Sequence, residues 1–263
     1  MPHQLFQVDA FSELPFTGNP AAVCLLRGPE PAEWMQSLAM EMNLSETAFL
    51  LPEEDGWRLR WFTPKTEVRL CGHATLASAM VLFTIRPELR DGPLRFETLS
   101  GELRARWADG RVVLDFPAMI PEPAAVDPEL ERALGIPLVH AVHAGDYFLF
   151  EVEDDPAVRK LNPDFAALAA CPTPEVIVTA RSAEPTYDFI SRFFAPRLGI
   201  NEDPVTGSAH CLLAPYWAEK LEKTAFKAYQ ASERGGVLHV VLKDDRVEIA
   251  GAAAFIFEGE LLA

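Results

Sequence analysis

The chain has 263 residues, 49% of them hydrophobic, with 23 basic against 39 acidic side chains and a net charge of −16. That length holds one large domain or two of ordinary size, and the acidic balance argues against nucleic acid or an anionic membrane as a partner. An apolar leader and a membrane-length apolar segment are both absent from the pattern, and the four cysteines (24, 71, 171 and 211) form no C-x-x-C pair, so a soluble cytoplasmic protein is expected.

In chain order, Gln4 to Asp9 and Ala21 to Leu25 read as strands joined by a turn at Thr17-Gly18-Asn19-Pro20. Pro31 to Met42 reads as a helix, with Pro in its opening turn and Trp34, Met35, Leu38 and Met42 at helical spacing. Leu44 to Leu51 and Trp57 to Trp61 follow as strands. Gly72 to Phe83 is small or apolar on every side, the pattern of a buried helix. Leu94 to Glu97, Glu102 to Trp107 and Arg111 to Phe116 complete the first half as strands. Four prolines between Pro117 and Pro128 mark a connector. The second half places strands at His140 to His143, Tyr147 to Val152, Glu175 to Ala180 and Tyr187 to Phe194. A helix opens at Gly207 with Pro215 inside it, where a kink or a shortened helix is expected. Strands return at Val237 to Leu242, Val247 to Ile249 and Phe255 to Phe257.

The two halves echo one another. Leu70-Cys71-Gly72-His73-Ala74 and Val205-Thr206-Gly207-Ser208-Ala209-His210 stand 135 residues apart (72 against 207). At the same offset Gly101 answers to Gly236, Leu103 to Leu238, Asp109 to Asp244, Arg111 to Arg246 and Val112 to Val247. Upstream, Phe62-Thr63-Pro64 echoes Phe194-Ala195-Pro196. The pattern predicts an α+β protein of two pseudo-symmetric lobes, 1–117 and 118–263, each a sheet wrapped around a central helix, with a site between them.

A helix opening at Gly72 or Gly207 exposes unpaired backbone N–H groups at its positive end, which suits a carboxylate. Ser208 adds a hydroxyl. One such start alone reads as ordinary capping; two in matching positions favour the anion. Glu46 shares a strand face with Leu44, Ala48 and Leu50, and it is either a buried carboxylate with acid/base character or a solvated one, depending on which face points inward. His73, in the first helical turn, is either a neutral proton relay or a capping or core histidine. Asp203, before Pro204, either caps the second helix or orients His73. A zinc site from Cys71, His73, His210 and Cys211 is not expected, because adjacent helical residues point about 100° apart. No nucleophile elbow supports a Cys71–His73–Asp203 triad.

Gln7-Val8-Asp9-Ala10-Phe11, Gly18-Asn19-Pro20, Leu44-Ser45-Glu46-Thr47-Ala48-Phe49, Cys71-Gly72-His73-Ala74-Thr75 and Asp203-Pro204-Val205-Thr206-Gly207-Ser208-Ala209-His210 resemble the PhzF-like family of phenazine-biosynthesis isomerases, which shares the diaminopimelate epimerase fold. The resemblance implies mostly antiparallel sheets curled around central helices, with the last strand free to return to the first lobe. It further implies a proton moved on a small carboxylic acid without a cofactor or metal. Carried over motif by motif, Glu46, His73 and Asp203 become catalytic residues, and Gly72, Gly207 and Ser208 bind the substrate. A homodimer is a further expectation. Diaminopimelate epimerase is similar in fold but sets a cysteine before each helix glycine; here Cys71 fills one position and Thr206 the other, so a two-thiol racemase is not expected. Arg234 is left outside the site. The competing readings are a non-catalytic carboxylate-binding protein and a Cys-dependent racemase.

Overall fold

In the computed structural model, which describes residues 2–173 and 175–262, the opening strand β1 (Gln4–Ala10) is buried along most of its length and has a neighbour on each side. β2 (Asn19–Leu25) runs antiparallel along one edge, and the last strand, β18 (Ala253–Glu260), runs antiparallel along the other. The chain forms two units, Met1–Asp115 with Ala250–Ala263, and Phe116–Ile249. Among the described residues no helix is long and apolar enough to cross a membrane.

The first unit continues through α1 (Ala32–Met42), β3 (Glu46–Glu53), β4 (Gly56–Phe62), β5 (Glu67–Val68), α2 (Gly72–Ile85), β6 (Leu94–Thr98), β7 (Gly101–Ala108) and β8 (Arg111–Pro117). The second begins with β9 (Glu122–Pro123), α3 (Pro128–Leu134), β10 (His140–Ala144), β11 (Tyr147–Glu151), α4 (Asp155–Lys160) and α5 (Phe165–Ala170). It continues with β12 (Glu175–Arg181), β13 (Phe189–Ala195), β14 (Ile200–Asp203), α6 (His210–Leu221), β15 (Ala225–Gln230), β16 (Gly236–Lys243) and β17 (Arg246–Gly251).

The internal repeat is visible in the pairing. In the first unit β1–β2 is antiparallel, β2–β3 parallel, β3–β4 and β4–β5 antiparallel, β4–β6 parallel and β6–β7 antiparallel. β10 to β16 repeat that order pair for pair in the second unit. Both units are therefore α+β, with sheets in which antiparallel pairs predominate.

Each sheet curls over one apolar helix. Every residue of α2 from His73 to Phe83 is buried, as expected for a helix without a polar face, and it touches β1, β2, β3, β7 and β18. In the second unit α6 buries Trp217, whose ring stacks on Phe189 of β13 at 5.6 Å and whose indole N–H donates to Thr179 Oγ1 of β12 at 3.0 Å. Truncating so large a buried side chain to alanine costs about 3–5 kcal/mol in typical cores.

One expectation needs correction. The second helix begins at His210 rather than Gly207, because the amides of His210 and Cys211 bond back three residues, to Gly207 and Ser208 (both 3.0 Å), in a tighter turn. Pro215 does not break α6: the carbonyl of Cys211, which it leaves without an intrahelical donor, accepts the Met119 amide at 2.9 Å instead. The proline-rich connector holds the short strand β9, paired with β10, and ends at Asp127, whose carboxylate caps α3.

Candidate active site

At one end of the first unit's sheet, β2 and β3 start side by side, with Ala21 paired to Glu46. The turn before β2 holds Gly18 at φ +73°, so close to the Ala10 carbonyl that a Cβ there would collide with it. That turn sets the start of β2, and α2 starts nearby with Cys71 as its N-cap. The Thr75 amide and hydroxyl both bond back to the Cys71 carbonyl. The amides of Gly72, His73 and Ala74 precede the first intrahelical bond and form the positive end of the helix.

Three side chains of this unit come together. Glu46 and His73 are both buried, at 9% and 6% exposure, with Glu46 Oε2 3.3 Å from His73 Nε2. That separation is an ion-pair distance, but the direction makes no hydrogen bond, so Nε2 is buried without a hydrogen-bond partner. Cys71 Sγ lies 3.5 Å from the other ring nitrogen, Nδ1. Burial pulls the His73 pKa down to about 4, against a hydrogen bond to the Pro20 carbonyl that favours the charged ring. His73 is therefore neutral near pH 7. Glu46, Cys71 and His73 offer ligand atoms within 4.8 Å of one another.

The strand parity that left Glu46 open has a simple outcome: Glu46 to Leu50 are all buried, so both faces of β3 point into protein. Alternation carries no information in a strand covered on both sides.

Asp203, Gly207 and Ser208 lie in one turn of the second unit, between β14 and α6. The Asp203 carboxylate accepts the Thr206 hydroxyl. It is not the cap of α6, whose N-cap is Ala209, six residues further on. Gln230, fully buried on β15, clamps the turn: its Oε1 accepts the Thr206 amide at 2.8 Å and its Nε2 donates to the Asp203 carbonyl at 2.8 Å. The repeat persists in this detail. His210 corresponds to Thr75 and Thr206 to Cys71, and the His210 ring donates from Nδ1 to the Thr206 carbonyl at 2.9 Å, as the Thr75 hydroxyl does to Cys71. His210 Nε2 is buried with no hydrogen-bond partner, and burial lowers this pKa also to about 4.

Three residues of the turn's surroundings escaped the sequence reading. Tyr147, at the start of β11, donates its hydroxyl hydrogen to Ser208 Oγ at 2.9 Å, and burial pushes its phenol above the ordinary range. Glu175 opens β12 as Glu46 opens β3. Thr47 pairs with Phe62 and Val176 with Phe194, the two phenylalanines of the repeated Phe-x-Pro, so the residue before each is the same position of the repeat. Burial, with Asp146 adding to it, pushes Glu175 up to about 7. Gln230 carried a readable signal, since Phe226, Ala228 and Gln230 alternate inward, but a polar residue at an inward position is passed over by hydrophobic pattern.

Comparison with known proteins gives a consistent result. The phenazine biosynthesis-like protein family matches residues 8–259. An "uncharacterized isomerase" of Pseudomonas aeruginosa is 52% identical over 258 residues, covering 98% of both chains. The crystal structure of a phenazine biosynthesis protein PhzF family member from Enterococcus faecalis superposes with a TM-score of 0.96 at 45% identity, covering 100% of each chain. A hydroxyproline epimerase from Agrobacterium vitis, 13% identical with a TM-score of 0.64 over 99% of this chain and 94% of its own, shares the fold.

Proposed function

The chain belongs to the phenazine biosynthesis-like protein family and is an isomerase, and on that premise we propose that it moves a proton within a small carboxylic acid, without a cofactor, using Glu46 as the general acid/base. The observation that carries this reading is the buried Glu46–His73 pair, 3.3 Å apart with Nε2 unbonded. We read the ring as donating from Nδ1 to the Pro20 carbonyl, which leaves Nε2 as a bare lone pair facing the Glu46 carboxyl. A lone pair this close to the carboxyl gives Glu46 a neighbour that tunes its basicity, so that Glu46 can take a proton from one substrate carbon and return it to another.

In this scheme the Glu46 carboxylate takes a proton from a C–H bond activated by neighbouring unsaturation. The electron pair of that bond passes into the conjugated system. The Glu46 carboxylic acid then returns the proton to a different carbon. In the first unit the amides at Gly72 suit the substrate carboxylate, and in the second the Gly207–Ser208 turn, with Asp203 tied to Thr206, offers donors of the same kind. Neutral hydrogen-bond donors in these places suit a protein of net charge −16, which must attract an anion without a surplus of cations. None of the four cysteines forms a disulfide, which supports action in a reducing compartment.

The test is a screen of small carboxylic acids in deuterated water, following thermal stabilisation and deuterium incorporation together. Stabilisation with exchange identifies a substrate; stabilisation without exchange for every ligand favours a binding protein. With the acid that exchanges, Glu46→Gln is expected to cut the rate by roughly 10² to 10⁴, the range typical of general acid/base catalysis, while affinity changes little. A Gln variant exchanging at near-normal rate removes Glu46 from the mechanism.

A further inference from the structure

The two units carry the same position of the repeat with different chemistry. In the first, Glu46 opens β3 beside Ala21 of β2, and the small neighbour leaves room for the carboxylate to reach His73 at the start of α2. In the second, Glu175 opens β12 beside Tyr147 of β11, in the same parallel pairing. Parallel partners in register project to the same face of a sheet. There the phenol of Tyr147 occupies the ground that Ala21 leaves open, and it is Tyr147, not the glutamate, that reaches the turn before the helix. Its target, Ser208, is the repeat counterpart of His73 (73 against 208).

We propose that Tyr147 is a positioning residue that commits Ser208 to donate to the substrate carboxylate. The argument rests on Ser208 binding that carboxylate, as put forward above. A serine hydroxyl has one hydrogen and two lone pairs, and by itself it turns to donate or accept as its surroundings demand. Tyr147 donates to Ser208 Oγ at 2.9 Å and so fills one lone pair. The Ser208 hydrogen must then point away from the phenol, ready for an acceptor. The phenol is itself held in place, packed 6.1 Å from the Phe193 ring on β13. A chain of two hydroxyls running in one direction also polarises the outer O–H and strengthens its bond to an anion. The position that carries His73 in the first unit thus carries a directed donor in the second.

The experiment measures binding rather than turnover, so it stands apart from the role of Glu46. Anthranilate and its neutral amide, anthranilamide, are titrated by calorimetry into wild type, Tyr147→Phe, Ser208→Ala and the double variant, with the fold checked by circular dichroism. Tyr147→Phe keeps the ring and removes only the hydroxyl. The expected result is that each single variant weakens anthranilate by roughly 3- to 10-fold, the worth of about one hydrogen bond, and that the double variant is no weaker than Ser208→Ala alone. Anthranilamide affinity is expected to move less than anthranilate affinity in every variant. Ser208→Thr, which keeps the hydroxyl, is expected to bind anthranilate within about twofold of wild type. The proposal is overturned if Tyr147→Phe binds anthranilate as tightly as wild type. It is equally overturned if the single effects multiply in the double variant, if acid and amide weaken alike, or if wild type does not bind anthranilate. Failure of Glu46→Gln to slow exchange would leave these binding results standing.

Discussion

His210 gives a stability prediction whose size follows from its surroundings. The ring is fully buried against Phe189, bonded from Nδ1 to the Thr206 carbonyl, with Nε2 unbonded. Protonating it places a charge in a fully buried position, which burial disfavours. Burial lowers its pKa from the ordinary 6.5 to about 4, so the folded protein resists the proton that the unfolded chain accepts. The sign follows directly: above pH 6.5 neither state is protonated and nothing is lost. Between pH 6.5 and 4 the unfolded state takes up the proton first, and the folded state loses stability. Below pH 4 the loss levels off. The gap between 6.5 and about 4, at about 1.36 kcal/mol per pH unit, amounts to about 3 kcal/mol. His210→Asn keeps a side-chain N–H for Thr206 but cannot titrate. The variant starts less stable at pH 8, having lost ring packing, and the wild-type advantage is expected to shrink by about 3 kcal/mol by pH 4. Trp217 is the only tryptophan between Phe116 and Ile249, so urea unfolding followed by fluorine NMR of fluorotryptophan-labelled protein reads the second unit alone. An imidazole resonance of His210 that titrates near 6.5, or a wild-type advantage that does not change with pH, refutes the reasoning.

Two further predictions concern groups near the candidate site. Cys71→Ala is expected to slow deuterium exchange by less than about 10-fold, because the thiol contacts His73 at Nδ1 while Nε2 is the nitrogen that faces Glu46; loss of exchange in Cys71→Ala with retention in Glu46→Gln would point to thiol chemistry. Glu175→Gln is expected to stabilise the protein at pH 8. Because burial raises the Glu175 pKa from 4.5 to about 7, the folded wild type loses stability as pH rises through that interval, and the advantage of the variant grows with it and then levels off. Thermal midpoints of the two proteins from pH 4 to 9 check this, and a constant difference sinks it.

Much of the fold was legible because the repeat was. Gly72 against Gly207 and the hairpins at Asp109 and Asp244 fixed two like halves, and the apolar run from Gly72 to Phe83 could only be a buried helix. The short helices α3, α4 and α5 were passed over, although each carries a readable start signal. Asp127, Asp154 and Asp164 cap them, and Pro follows within two residues in the first two. With six or seven residues each, these helices have too little length for periodicity to register. Glu46 and His73 were identified as residues, but their contact was not, since no spacing rule joins the start of a strand to the start of a helix 27 positions later (46 against 73). Tyr147, Glu175 and Gln230 stayed hidden for a related reason. Their importance lies in strand register, and register is fixed by partners distant in sequence.

The pairing of β1 with β18 has a consequence for how the protein is made. Strand β1 leaves the ribosome long before its second neighbour, which exists only when residues 253–260 have been synthesised. Until then one edge of β1 presents unpaired amides and carbonyls, along a segment that includes Leu5, Phe6 and Val8, to any strand that comes near. The second unit is continuous in sequence and can close on itself while the first still waits. Ribosomes that stall or terminate shortly before codon 253 would thus release chains with one finished half and one adhesive one. For such chains the risk of aggregation rests on one missing strand rather than on any weakness in the core.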